Sequence, residues 1–316
     1  MIKPISAIAL ITIVALLYFL DTRPIPANSL LWSSIQDTGH IPLFGIISLS
    51  LLAMLKNTFT QRYLKIKHQY LLALMISLIL AALSEWSQAF DPKREPDLMD
   101  FLFDLVGSLT FLFVFSLYDP RIACNKMPDR KKRYRKLALV LIVWIAASTP
   151  LLSTLTAYQY RNDIFPRLID ASNNKSLPFI HINDGSLVMP SPSRHTQEHP
   201  GLKWDSTLNT DWPFIRINEP VTNWQAYSQL ILDITLTSDH KARLTLRADD
   251  QYFTTGKLHT LETHAILSKG HNRVVLELDK HPLPTGFFKH LIRHVWLALP
   301  DPQQRHSFYI TGLYLQ

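Results

Sequence analysis

The sequence predicts an α-helical polytopic membrane domain of five spans, followed by an all-β sandwich of the jelly-roll type. Three observations carry this expectation. Long apolar runs crowd the first half of the 316 residues, Lys and Arg concentrate in alternate loops between those runs, and short β-rich runs recur after residue 204. Composition shifts near residue 157. This gives a transmembrane domain over 1–156, an irregular linker over 157–204 and a β-sandwich over 205–316.

Crossing a bilayer takes about 20 predominantly apolar residues in a helix. The candidates are Ile5–Leu20, Ile41–Leu55, Tyr70–Ala89, Leu98–Leu117 and Leu137–Leu155, the first two being short and reliant on their flanks. Lys3 ahead of an apolar core is also a signal-peptide feature. No small-x-small cleavage site follows it, and Pro24 and Pro26 stand where one would fall, so the run reads as an uncleaved span.

Orientation follows from the basic residues. Lys3, Lys56, Arg62, Lys65, Lys67 and eight more between Asp119 and Lys136 make thirteen on one set of loops, against Arg23, Lys93 and Arg94 on the other. Positive charge is held on the cytoplasmic face. The expectation is therefore a bacterial inner (plasma) membrane protein with a cytoplasmic N-terminus and an extracytoplasmic C-terminal domain. The formal net charge of +7 is accounted for by this topology. Membrane lipids are the implied partners, and nucleic acid is not. Cys124 is the single cysteine, so no intramolecular disulfide forms, and no histidine or acid pattern around it suggests a catalytic thiol.

The informative segment lies between the third and fourth runs. Glu85 and Gln88 are three apart and share a helix face, while Asp100, Asp104 and Gly107 follow i, i+4, i+7 spacing on the next helix. The link Asp91-Pro92-Lys93-Arg94-Glu95-Pro96 is short enough to force a tight antiparallel hairpin, which brings these acids together with Arg94 above them. His40 starts the second run at the same height. Ionisable groups at membrane depth are expensive and are functional-site candidates by default. His40, Glu85, Gln88, Arg94, Asp100 and Asp104 are thus the candidate catalytic residues.

The run Glu85…Gln88…Phe90…Pro92…Arg94…Asp100…Asp104…Gly107, preceded by Asp37…Gly39-His40 and Phe44, resembles the VanZ-like membrane family over roughly residues 5–120. Asp104 stands where that family usually has Asn, and Thr38 where a basic residue is common. The resemblance implies a place in the cell envelope, and for some members reduced sensitivity to glycopeptide antibiotics. It supplies a location without a reaction, and no cofactor. Two readings of the cluster stay open: an ion-pair brace built on Arg94 with Glu85 or Asp100, or an acid/base or cation-assisted site in which carboxylates share a proton or hold a divalent ion. No metal site is assigned.

In the second half, β-rich runs at Ser228–Thr237, Ala242–Ala248, Arg273–Leu278, Val295–Leu299 and Phe308–Leu315 suggest a sandwich. Their order resembles galactose-binding and carbohydrate-binding jelly rolls over about 205–316. That resemblance implies an envelope glycan or lipid-linked precursor as partner, with Trp212, Trp224 and Tyr252 as candidate substrate-binding aromatics. Trp204 and Phe253 belong to the same set of candidate stacking residues. His195-Thr196-Gln197-Glu198-His199 matches an inverted zinc-peptidase pattern. Pro190, Pro192 and Pro200 bracket it, however, and that chemistry needs a helix, so the segment reads as a loop. The leading function is an envelope protein acting on or recognising such a precursor; the alternative is a non-enzymatic accessory or scaffold protein.

Overall fold

The computed structural model describes residues 4–22, 29–59, 64–90, 97–122, 130–171, 173–188, 201–207, 212–250, 259–279, 287–300 and 304–316. It divides into two compact units, Met1–Thr154 and Leu155–Gln316.

The first unit is helical: α1 (Pro4–Thr22), α2 (Leu30–Thr58), α3 (Ile66–Gln88), α4 (Leu98–Ser116), α5 (Arg130–Ala147) and the start of α6 (Thr149–Ile164). Three of these, α2, α3 and α4, are long and apolar enough to cross a membrane, and the α5–α6 pair makes a fourth only if counted as one bent span. Among the described residues the candidate spans thus number three or four, and the expected count of five is not confirmed. The apolar part of α1, Pro4–Tyr18, is shorter than a span. The expected fifth run, Leu137–Leu155, crosses a break where α5 and α6 bend by 53°. Pro150 explains the break, because it has no amide to give the Ala146 carbonyl. The Thr149 hydroxyl donates to that carbonyl instead, at 2.7 Å.

Helix α2 begins eleven residues before the expected Ile41. Ser29 caps it, its hydroxyl accepting from the Trp32 amide at 3.4 Å. The helix then continues through Asp37, Gly39 and His40, where the sequence places the entry to the span, and on through Pro42. Its apolar face supplies the centre of the unit: Phe44, Ile47, Leu51 and Leu52 are buried against Ala73 and Ala81 of α3 and Leu112 of α4. Gly107 of α4 lets the two backbones touch, since a Cβ there would sit 2.1 Å from the Ile41 carbonyl oxygen. The Ser77 and Ser108 hydroxyls join α3 to α4 at 2.8 Å.

The second unit is a β-sandwich, as expected. One antiparallel sheet runs β3 (Gly185–Val188), β4 (Leu202–Ser206), β11 (Ser307–Leu315), β6 (Gln229–Leu236), β9 (Gly270–Glu277), with β1 (Arg167–Ile169) also pairing β11. The other runs β2 (Ile180–Asn183), β5 (Phe214–Asn218), β10 (Ile292–Ala298), β7 (Ala242–Asp250), β8 (Thr260–Leu267). Alternate residues of both sheets enter one core. Leu230, Leu232, Ile234 and Leu236 come from β6, Leu244, Leu246 and Ala248 from β7, Val295 and Leu297 from β10, and Phe308 and Ile310 from β11.

The described residues of the 157–204 stretch, read in sequence as an irregular linker, hold regular elements. They carry the end of α6, β1, a 3-10 helix over Asn174–Phe179, β2, β3 and the start of β4. Three- and four-residue strands leave too few alternations to be legible as a period. The chain crosses from one sheet to the other at Asp184 and Gly185, both at positive φ. Gly185 is required there, because a Cβ would meet the Asp205 carbonyl oxygen at 2.5 Å.

Candidate functional site

The α3–α4 hairpin and the first turns of α2 converge at one end of the helical unit. His40 is buried on α2, its ring parallel to that of Phe44 with centroids 6.4 Å apart. Its Nδ1 lies 2.8 Å from Asp104 Oδ1 on α4, and its Nε2 lies 3.8 Å from Asp100 Oδ2 one turn earlier. A carboxylate only accepts, so an ionised Asp104 accepts a hydrogen bond from Nδ1–H and fixes that tautomer, leaving Nε2 as the basic nitrogen. Asp104 is completely buried, and its second oxygen, Oδ2, has no hydrogen-bond partner.

Glu85 at the end of α3 holds the start of α4. Its Oε2 accepts from the Asp97 amide at 3.0 Å and its Oε1 from Gln88 Nε2 at 3.4 Å. Asp97 in turn caps α4 by accepting from the Met99 amide at 2.8 Å. Asp97 was absent from the candidates, although Pro96-Asp97 before an apolar run is a helix-start signature. The helical spacing thus brings together His40, Glu85, Gln88, Asp100 and Asp104 as expected. Arg94 lies outside the described residues. Among the described residues no Lys or Arg pairs with these acids. Among the described residues no group of three His, Cys, Asp or Glu side chains is placed to hold a metal ion.

A second buried acid makes an instructive contrast. Asp119, just past α4, is bonded by Lys56 Nζ, by the Tyr70 hydroxyl at 2.9 Å and by the Arg121 amide at 3.1 Å. Burial pushes its carboxyl up, but Lys56, the Arg121 amide and Tyr70 together hold it below the usual carboxylate range. Both Asp119 oxygens are satisfied. Asp104 is not.

The aromatic candidates in the sandwich separate. Trp224 is fully buried, with Nε1 donating to the Val221 carbonyl at 2.6 Å, which removes it from the substrate-binding set. Trp204 is likewise buried against Phe308. Trp212 is 44% exposed and remains available. Tyr252, Phe253 and the His195–His199 segment lie outside the described residues.

No protein-family profile matches the chain, and no curated protein matches it. Among solved structures, it is similar to an exo-β-agarase at 14% identity and a TM-score of 0.40, over 48% of this chain and 25% of that one. It is also similar to a non-crystalline-cellulose-specific carbohydrate-binding module, CBM28, at 9% identity and a TM-score of 0.35, over 48% and 93%. A family 11 carbohydrate-binding module from Clostridium thermocellum matches at 12% identity and a TM-score of 0.29, over 43% and 82%. The chain spans about a quarter of the length of the agarases it matches.

Proposed function

We propose that this chain is an integral membrane protein of the cell envelope that acts on, or recognises, a glycan or lipid-linked precursor at the outer leaflet. The polar cluster supplies the reacting groups and the exported sandwich the recognition. One observation carries the reading. Asp104 is buried at no small cost with one oxygen unbonded, whereas Asp119 of the same unit is bonded at both. A brace is satisfied by completed pairs, and a reactive site keeps an unfilled position.

In this reading Asp104 holds His40 Nδ1–H, Nε2 takes a proton from a ligand hydroxyl, and Asp100 stabilises the imidazolium that results. The thirteen-to-three bias of basic residues supports an outward-facing cluster. The resemblance of Glu85…Gln88…Arg94…Asp100 to the VanZ-like pattern supports an envelope role and links it to glycopeptide sensitivity.

The alternative, a non-enzymatic accessory or scaffold protein, is favoured by the Glu85 bond to the Asp97 amide, which ties α3 to α4 as a brace would. The test expresses Glu85→Gln, Arg94→Ala and Asp100→Asn variants, measuring their amounts in the membrane and the glycopeptide sensitivity of the cells. Normal accumulation with loss of the effect supports the site. Failure to accumulate in proportion to the loss supports the brace.

A further inference from the structure

The outer face of the second sheet carries a group of polar side chains that the folding of the sandwich does not use. Strand register fixes their arrangement. Trp296 of β10 lies opposite Arg216 of β5 on one side and Arg247 of β7 on the other. Two residues along, on the same face, His294 lies between Asn218 and Asp249. Inner neighbours Ile215, Ile217, Val295 and Leu297 are buried in the core, so these six point away from it.

Trp296 organises the group. Its Nε1 donates to Asp249 Oδ2 at 2.6 Å, and Asp249 Oδ1 accepts from Arg247 Nε at 2.6 Å. The Arg216 guanidinium lies 4.9 Å from the Trp296 ring centroid and that of Arg247 5.8 Å. Arg247 thus has its carboxylate. Among the described residues Arg216 has no hydrogen-bonded or ion-paired carboxylate: Asp249 attracts it only through space, its contact is the Trp296 ring, and its Nε is buried with no acceptor. In the adjacent row Asn218 Oδ1 and His294 Nδ1 are also buried without a partner.

We infer that this face binds an acidic saccharide, with Arg216 holding a carboxylate or phosphate of the ligand and Asn218 and His294 its hydroxyls. The inference rests on the reading of the sandwich as a glycan-recognising domain and adds the ligand's charge. A guanidinium without an acceptor matches the two oxygens of a carboxylate or phosphate. An orphaned amide oxygen calls for a donor, which an anion lacks and a sugar hydroxyl has. Residues two apart on a strand stand roughly 7 Å apart, so one ring with an exocyclic acid can meet both rows. Burial and the nearby Arg216, Arg293 and Arg247 push His294 down to about 4, so at neutral pH it is an uncharged partner for hydroxyls, and Arg216 is the group left to bind the acid.

The test titrates the full-length chain in detergent with tetragalacturonate, mannose 6-phosphate and the neutral cellotetraose, using calorimetry. At least one charged probe is expected to bind at least tenfold tighter than cellotetraose, and the one that does distinguishes a carboxylate ligand from a phosphate one. Arg216→Gln is expected to remove that preference, Arg216→Lys to restore part of it, and Arg243→Gln, exposed on the same sheet, to leave it intact. Equal binding of cellotetraose and the charged probes overturns the acidic class but leaves glycan recognition standing. No binding of any saccharide overturns both. An Arg216→Gln protein that loses thermal stability but keeps the preference shows a purely structural arginine and also overturns the inference.

Discussion

His40 and Asp104 stand 64 positions apart in the chain and meet through a 2.8 Å hydrogen bond with almost no solvent access. The bond joins α2 to α4 and sets the tautomer of the histidine. Replacing His40 by Ala leaves both Asp104 oxygens buried without a donor, a loss of about 3–5 kcal/mol for a broken buried pair. Asp104→Asn keeps an oxygen to accept from Nδ1 and is expected to cost about 1 kcal/mol. Thermal unfolding in detergent checks the order. An Asn variant as unstable as His40→Ala would mean that charge, not hydrogen bonding, holds the helices.

The close approach that makes this bond possible depends on Gly107. A methyl group there would fall 2.1 Å from the Ile41 carbonyl oxygen, which is backbone and cannot turn aside. At Gly45 the obstacle is the Phe111 side-chain ring, 2.3 Å away. Gly107→Ala is expected to lose about 2–3 kcal/mol and to displace His40 from Asp104, while Gly45→Ala costs less because the whole Phe111 side chain can swing about its Cα–Cβ bond. Melting temperatures of the two variants in one detergent decide this. Equal losses would show that the Phe111 ring is as fixed as backbone.

The cluster was legible because helical periodicity is local. Glu85 with Gln88, and Asp100 with Asp104, share faces by spacing alone, and the short link forces the hairpin. What exceeded the sequence lay in longer-range or weaker signals. Asp37, Gly39 and His40 mark the entry to the span in sequence, yet α2 runs through them and Pro42 because Ser29 caps it earlier and packing outweighs the local cost of Pro42. The break at Pro150 was visible as a residue, but the surrounding apolar run masked it. Strands β2 and β3 are too short to show alternation. The difference between Trp212 and Trp224 is a matter of tertiary burial, which their neighbours in sequence do not encode.

That difference is measurable. Trp224 fills the core and donates to the Val221 carbonyl, so Trp224→Ala should cost about 3–5 kcal/mol, chiefly through cavity formation. Trp212, 44% exposed, should change stability by no more than about 0.5 kcal/mol when replaced by Ala. Urea unfolding of the full chain, followed by near-ultraviolet circular dichroism, reports both. A Trp212 variant that is stable yet binds saccharide more weakly would keep this residue in the ligand-binding set.

The sandwich should also weaken in mild acid through His294. Burial, reinforced by Arg216, Arg293 and Arg247, lowers it from 6.5 to about 4 in the folded chain. The unfolded chain therefore binds a proton at a pH where the folded one does not, and stability rises with pH across that interval. The contribution is fully present above about 6.5 and is lost progressively as pH falls towards about 4. Its size is on the order of 1–2 kcal/mol once partial exposure is discounted. Asp249 works in the opposite sense: burial raises it despite Arg247 and Trp296, so its protonation favours the folded state at low pH. A comparison of wild type with His294→Gln separates the two, because only the histidine differs. Between pH 7 and 4.5 the melting temperature of the wild type should fall further than that of His294→Gln. Arg216→Gln, which removes one of the repelling charges, should show a pH dependence between them. Parallel curves for all three proteins would assign the acid sensitivity to other groups.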